Sequence, residues 1–598
     1  MDGESILTRT KIRDPLYAPR RLEVERRADG AVVLFNPTPF SGAFTTATGP
    51  IAHWAKAAPG RTWLAERSGD GWREVAYGEA HERVRALAGG LKGLGLPHQR
   101  PLLMLARNGV DTALFSYAAM GRGNPIAPVS PQYGLAGADL SRLAHAVAVI
   151  QPAAVFVDDA AAFAGALASD VLAGLPVIAA ANARRGDIAL EGLYASAPAP
   201  PIARGDDIAK LLLTSGSTGA PKAVVGLHRN LAATSAQVAA CFDDPEPPVV
   251  VNQAPWSHSL GANAILHMVL HRGGTLYIDA GQPVAGRFGE TIRNLHEIAP
   301  TYHNMVPAGW DLLAPELERD VALARTFFSR VRLLQYGGAG LGQSTGDRIQ
   351  AVAVRTVGEA ISFGSGYGAT ETGPTASNVH WPNLRMGLMG LPVPGTSVKL
   401  APLGEKLEFR VKGPQVSPGY YQAPDATAAA FDEEGFYRLG DAARWADPDD
   451  PEQGLVFDGR LSENFKLSSG TFVNAGALRI AAVSAIGGAA ADAVVCGEGE
   501  AGVGLLIFRN PSYCRDHTDA EVEAAVRAGL TRFNAKAKSG GGRIARALVL
   551  DGQPDGHAGE ITDKGYINQT LARQKRAADI ARLFAEPPAK GVIILGEA

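Results

Sequence analysis

The chain has 598 residues, about four times a typical single-domain length, so several packed layers or domains are expected. Hydrophobic residues make up 46% and charged residues 20%, which excludes wholesale disorder, and 57 Lys and Arg against 60 Asp and Glu leave a net charge of −3, no electrostatic footprint for nucleic acid or an anionic membrane. Glycine is the outlier at 70 residues, about 12% against a usual 7% or so and without a G-X-Y period, which predicts many tight turns and close backbone approaches.

Residues 1–21 are charged throughout with no apolar centre, so no secretory signal is expected there, and no charge-free apolar run is long enough to span a bilayer. From about residue 50 to 360, short apolar runs alternate with amphipathic patterns. Runs at 102–105, 154–157, 177–180, 211–213, 249–251, 275–278 and 331–334 read as buried strands, and 77–91, 230–242, 288–298 and 345–357 as helices. That alternation predicts an α/β fold of stacked, mostly parallel sheets with helices on both faces. Between 386 and 446 the short strands 398–400 and 407–411, split by Gly and Pro turns, predict a small antiparallel or barrel-like subdomain. A boundary near Arg460 divides a large N-terminal domain, residues 1–460, from a smaller α+β C-terminal domain, residues 461–598. Cys241, Cys496 and Cys514 are too few and too scattered for a disulfide framework; a reducing compartment, and with it a soluble cytoplasmic protein, is expected.

The strongest chemical signal is LLLTSGSTGAPK at 211–222, where an apolar strand runs into a loop of hydroxyls and glycines closed by proline and lysine. Glycines let backbone N–H groups form an anion-binding nest, hydroxyls add donors and lysine adds a point charge, so a polyphosphate is the natural guest. The G-x-x-x-x-G-K-[ST] pattern is absent, so P-loop NTPase mechanics do not transfer.

This stretch closely resembles the phosphate-binding signature of the adenylate-forming superfamily of acyl-CoA synthetases, luciferases and carrier-loading adenylation domains, and further signatures follow in that superfamily's order. PWSHSLG at 255–261 resembles the segment bordering the acyl pocket, YGGAG at 336–340 the glycine turn against adenine, and YGATE at 367–371 the adenine- and phosphate-contacting motif. GFYRLGD at 435–441 ends in the aspartate that grips the ribose hydroxyls, and DGRLSENFK at 458–466 resembles the interdomain hinge. The resemblance implies ATP contacts from Thr214, Ser215, Gly216, Ser217, Thr218, Gly219, Gly337, Gly338, Ala339, Tyr367, Gly368, Ala369, Asp441 and Arg460. It implies catalytic roles for Lys222, Thr370, Glu371 as the Mg²⁺ ligand, and Lys564 on a mobile C-terminal domain, with Ser462 as hinge and Lys466 in the thioester step. Trp256, His258, Leu260, Asn263 and Val306 are the expected lining of the acid pocket.

These residue types suit the chemistry on their own terms. A carboxylate attacking a phosphate must overcome anion–anion repulsion, which Lys222, a metal on Glu371 and backbone donors would offset. An aspartate can accept hydrogen bonds from two vicinal hydroxyls at once. Three positions depart from the superfamily pattern: Leu439 replaces the usual threonine, Ser462 the usual aspartate or lysine, and in GEITDKGYINQ at 559–569 Lys564 precedes its glycine instead of following it. That tail, with FDEEGFYRLGDA, FDGRLSENFKL, TLYIDA and LEVERRADGAVV, resembles the feruloyl-CoA synthase group. The implied activity is ATP-dependent ligation of an aromatic, hydroxycinnamate-like acid to coenzyme A through an acyl-AMP, with ATP, Mg²⁺ and coenzyme A as cofactors and no nucleic-acid or membrane partner. Transfer to a carrier protein and a non-catalytic nucleotide-binding regulator stay open as alternatives.

Other motif matches carry less. Gly497-x-Gly499-x-x-Gly502 is followed by the apolar run 503–508, which predicts a hairpin turn instead of a dinucleotide site. Gly342-x-Ser344-x-Gly346 begins too far beyond Tyr336 for Ser344 to sit on a tight strand-to-helix elbow. His267 and His271 share a helix face without a following glutamate or third ligand, so packed histidines are expected.

Overall fold

The computed structural model describes residues 10–40, 44–214, 221–284, 286–461, 464–537, 542–555, 560 and 567–595. The chain divides into two compact units: Met1–Gly338 with Thr345–Lys399 and Arg410–Leu439, and Ala339–Ser344 with Leu400–Phe409 and Gly440–Ala598.

In the larger unit the apolar runs form the strands the alternation predicts. A seven-stranded sheet runs in the order Ile188–Ala189, Val177–Ala179, Ala154–Val157, Leu102–Leu105, Ile126–Pro128, Ile208–Thr214, Lys222–Leu227, and only the last pairing is antiparallel. A second sheet sets Val249–Asn252, Thr275–Ile278 and Thr62–Ser68 parallel and closes with the antiparallel strand Gly71–Ala76. A third places Tyr302–Met305, Leu333–Tyr336 and Ala360–Tyr367 side by side in parallel. Strands such as Leu102–Leu105 and Ala154–Val157 are buried end to end, as expected where helices cover both faces of a parallel sheet. Helices Tyr77–Gly93 and Val110–Gly121 supply part of that cover, and Trp63, Tyr77, Phe115, Tyr117 and Phe156 fill one core.

The predicted strand 331–334 is displaced toward the C-terminus, to Leu333–Tyr336, because Val331 packs as the C-cap of the preceding helix Val321–Arg330. The antiparallel strands expected after residue 386 are Leu388–Pro392, Ser397–Leu403, Lys406–Lys412 and Tyr437–Trp445. Among the loops of this region, the enclosed carboxylate of Asp432 pairs with Lys399 and, at 3.0 Å, with Arg410, and accepts the backbone N–H of Phe436 at 2.9 Å.

The smaller unit sets strands Ala490–Cys496, Val503–Arg509, Ile544–Leu550 and Val592–Ile594 in one sheet, with helices Ala475–Ile486 and Asp519–Asn534 contributing to the same core. Residues 497–502 are the turn of an antiparallel hairpin, as the apolar run beyond them predicts. Thr518 and Glu521 cap the second helix reciprocally. Among the described residues no helix is long and apolar enough to cross a membrane, and the three cysteines are free thiols.

Candidate active site

The strand Ile208–Thr214 and its antiparallel partner Lys222–Leu227 pair in register, with Thr214 opposite Lys222. Thr214 and Lys222 are therefore the two feet of the glycine- and hydroxyl-rich segment. Ser215, Gly216, Ser217, Thr218 and Gly219, between them, lie outside the described residues. Lys222 is half-buried, and its ammonium stands 5.0 Å from the ring centre of Tyr420, a cation–π distance.

Tyr367 ends the strand Ala360–Tyr367, and its carbonyl accepts the N–H of Ala376 at 2.9 Å. The chain then turns through Gly368 and Ala369 into the single 3₁₀ turn Thr370–Thr372. A Cβ on residue 368 would lie 2.0 Å from the carbonyl oxygen of Pro374, so only glycine fits there. The Ala369 N–H donates to the Thr372 hydroxyl at 2.9 Å and fixes the turn. Thr370 faces the hydroxyl of Ser259 across 3.2 Å.

Glu371 is 8% exposed; its Oε1 accepts the Tyr420 hydroxyl at 2.9 Å, and the Tyr437 hydroxyl stands 3.0 Å behind that of Tyr420. Burial first, and the Glu371 carboxylate second, hold both phenols protonated well above their ordinary range, so the chain of donors points toward the carboxylate. Among the described residues no lysine or arginine forms an ion pair with Glu371. A buried carboxylate without a cationic partner suits a bound divalent cation such as Mg²⁺.

Of the residues expected to line the acid pocket, Leu260 begins the π-helix Leu260–His267 and Val306 caps the helix Pro307–Arg319. A Cβ at Gly337 would meet Leu260 Cδ1 at 3.5 Å, and one at Gly338 would meet Val306 Cγ1 at 3.8 Å. Leu260, Val306 and the two glycines therefore gather in one place. His258 is half-buried just before the π-helix. Trp256 packs in the apolar core, its backbone N–H bonded to Asn108 Oδ1 at 2.9 Å. Asn263 is 4% exposed and its Oδ1 accepts the Lys210 ammonium at 2.9 Å.

In the smaller unit, Asp441 and Arg460 face each other across the antiparallel pair Tyr437–Trp445 and Leu455–Arg460. Arg460 Nε lies 3.3 Å from Asp441 Oδ1, so the two expected ribose contacts are neighbours. Ala339 opens the segment Ala339–Ser344 of the same unit. Lys466 is exposed, and its carbonyl accepts the Gly499 N–H at 3.0 Å. Ser462 and Lys564 lie outside the described residues.

Tyr420 and Lys210 join these groups without a motif to announce them, while Ser259 and Tyr437 lie inside PWSHSLG and GFYRLGD, which assign them no role. The one signal for Tyr420 is SPGYY at 417–421: Gly419 takes φ of +134°, and a Cβ there would lie 2.3 Å from Thr427 Cγ2. This turn brings the Tyr421 N–H to the carbonyl of Ala223 at 2.8 Å, next to Lys222. His267 is engaged by Tyr117 and Lys210, the packed environment its spacing predicts.

Residues 51–421 match the AMP-binding enzyme family and residues 467–587 the AMP-binding enzyme C-terminal domain. A carboxylic acid reductase of Mycobacterium marinum is 32% identical over 308 residues, 48% of this chain but 25% of the relative, so the chain spans about a quarter of that protein. The 4-coumarate–CoA ligase 5 of Oryza sativa subsp. japonica is 26% identical over 534 residues, covering 82% of this chain and 88% of the ligase. Among solved structures, ATP-bound MatB from Rhodopseudomonas palustris superposes with a TM-score of 0.70 at 20% identity, over 90% of this chain and 100% of that one.

Proposed function

Because the chain belongs to the AMP-binding enzyme family, we propose that it is an ATP-dependent acid–CoA ligase. The observation that carries this reading is the link from Lys222 through the Tyr420 ring and hydroxyl to Glu371, which sets a cation and a carboxylate with no ion-pair partner among the described residues beside the strand ends that frame the glycine- and hydroxyl-rich segment.

In the first half-reaction a carboxylate oxygen of the acid attacks the α-phosphorus of ATP. The bond from that phosphorus to the bridging oxygen breaks, and pyrophosphate leaves with the electron pair. Lys222 places positive charge on the phosphates, the Thr370 hydroxyl donates to the α-phosphate, and Asp441 accepts from the ribose hydroxyls with Arg460 beside it. Glu371 holds Mg²⁺, which when bound offsets phosphate charge. Lys564 bridges the attacking carboxylate and the α-phosphate. Rotation about Ser462 then admits coenzyme A, whose sulfur attacks the acyl carbon as AMP departs, with Lys466 serving that second step. Residues 1–460 act as the adenylation domain and 461–598 as the mobile domain of this cycle.

The acid is aromatic and of the hydroxycinnamate class. Supporting this are the tail GEITDKGYINQ, the segment TLYIDA and the extent of similarity to a 4-coumarate–CoA ligase. Similarity to one segment of a longer carboxylic acid reductase favours a second reading, with a carrier-borne thiol as acceptor instead of free coenzyme A.

The deciding experiment is acid-dependent ATP–pyrophosphate exchange over a panel of carboxylic acids, with and without coenzyme A. Exchange with hydroxycinnamates and thioester formation on adding coenzyme A are expected. No exchange with any acid overturns the ligase reading; exchange without a thioester favours the carrier.

A further inference from the structure

Lys210 lies on the strand that leads to the polyphosphate segment, yet its side chain points away from solvent: the residue is 3% exposed. Its ammonium donates to Asn263 Oδ1 at 2.9 Å and meets His267 Nε2 at 3.0 Å. The lysine is a donor, so His267 carries its proton on Nδ1, where it reaches the Tyr117 hydroxyl at 2.8 Å. Among the described residues no carboxylate pairs with this ammonium. A buried, uncompensated cation costs several kcal/mol, and an apolar side chain of the same length would pack at no such cost.

What the cation holds is unusual. Asn263 and His267 both belong to the π-helix Leu260–His267. Such widened turns are rare and occur frequently at functional sites. The π-helix begins at the Leu260 side chain that meets Gly337, directly after the Ser259 hydroxyl 3.2 Å from Thr370. A cavity of about 20 Å³, room for about one water, is lined by Lys210, Asn263, Thr370 and Ser417, so lysine and threonine border the same space.

Resting on the ligase reading above, we propose that Lys210 is a positioning residue of the acid pocket: it holds Asn263 and His267, and so fixes the π-helix that sets Leu260 against Gly337 and Ser259 against Thr370. Its main effect is on the acid; Thr370, which Ser259 meets, carries a smaller one to the nucleotide.

The charge of Lys210 gives this role a signature. The groups around it are Asn263 and His267 from the π-helix, Tyr117 from the helix Val110–Gly121 and His228 from the helix His228–Ala239, with Asp207 beyond. Burial holds His267 neutral and pushes His228 down to about 4, while Tyr117 is raised well above its ordinary range. Burial pushes Lys210 itself down to about 7, so it is the member of the group that changes charge near neutrality. Above that pH the charge-assisted bonds weaken to ordinary ones.

The test is the KM for the acid and for ATP between about pH 6 and 9, read by pyrophosphate exchange, in the wild type, Lys210→Met and Asn263→Asp. In the wild type the acid KM rises on the alkaline side while the ATP KM rises less. Lys210→Met raises the acid KM about ten-fold at pH 6.5, the loss of one charge-assisted bond, and abolishes its pH dependence. Asn263→Asp supplies a counter-charge and moves the alkaline rise to higher pH. An unchanged acid KM in Lys210→Met, or an ATP KM that rises in step with it, overturns the proposal. Should Lys210→Met not fold, an unmoved profile in Asn263→Asp overturns it equally. Absence of exchange in the wild type overturns the ligase reading and this role together, whereas an active wild type with unresponsive variants overturns this role alone.

Discussion

The Lys222 ammonium stands 5.0 Å from the centre of the Tyr420 ring, and the hydroxyl of that ring donates to Glu371 at 2.9 Å. One aromatic side chain therefore keeps a cation and an anion at fixed separation without letting them neutralise each other. Tyr420→Phe keeps the ring and removes the hydroxyl. Hydrogen bonds to charged groups contribute about 1.5–3 kcal/mol, so pyrophosphate exchange should fall about ten-fold or more. Tyr420→Leu also removes the cation–π contact and should fall further, by a factor of about two to five. A Phe variant as active as the wild type would show that the hydroxyl does not matter to Glu371.

Lys222→Met tests the cation itself. The side chain is half-buried and its described contact is with Tyr420, so the thermal midpoint should move little. Exchange should fall by about 10²–10³, the usual cost of removing one preorganised stabiliser of developing charge. A large loss of stability with unimpaired turnover of the folded fraction would assign Lys222 to the fold instead.

Asp441→Asn replaces a carboxylate that can accept from two hydroxyls with an amide that has one acceptor oxygen. The ATP KM should rise by about 10- to 100-fold while the KM for the acid stays within about two-fold. Equal rises in both would mean that the substitution disturbs Arg460, 3.3 Å away, and through it more than the ribose contact.

Asp432 predicts a pH dependence of stability. Burial alone would raise its pKa, but hydrogen bonds from Lys399, the Phe436 N–H and Arg410 outweigh burial and hold it at about 2. The folded value lies below the unfolded one of about 3.9, so the stabilisation is complete above that pH and is lost as pH falls through about 2. Asp432→Asn should cost about 3 kcal/mol at pH 7, because Lys399 and Arg410 lose the enclosed carboxylate they share, while Lys399 keeps the more exposed Glu434 at 2.7 Å. In urea melts the gap between wild type and variant should narrow as pH drops below about 4; a gap independent of pH would mean that the carboxylate charge is not what stabilises.

The sheets were legible in the sequence because their strands are buried on both sides and so leave continuous apolar runs, as at Leu102–Leu105 and Ala154–Val157. The displacement at Leu333–Tyr336 has the same root: Val331 is as apolar as any strand residue, and a periodicity cannot tell a helix cap from a strand start. Among site residues, those on one short stretch of chain were readable, since YGATE carries Tyr367 to Glu371 together. Tyr420, some 50 residues on, was not, because a tyrosine after a turn has no distinguishing spacing. Asn263 shows the opposite limit. Its position beside the PWSHSLG motif suggests the pocket, but a buried lysine 53 residues earlier claims its side chain.

The π-helix also bears on how this protein could be altered by deletion. A widened turn is an ordinary α-turn carrying one surplus residue. Removing Ala264 would let the segment relax toward the regular ladder, but would turn Asn263 away from Lys210 and shift the core residue Trp256. The same deletion would swing everything upstream of it by about 100° about the helix axis, the rotation per residue of an α-helix. Leu260 would leave Gly337 and Ser259 would leave Thr370 while the rest of the sheet stayed in place. Loss of a single codon here would thus separate two contacts at once, Leu260 with Gly337 and Ser259 with Thr370, which no single side-chain truncation does.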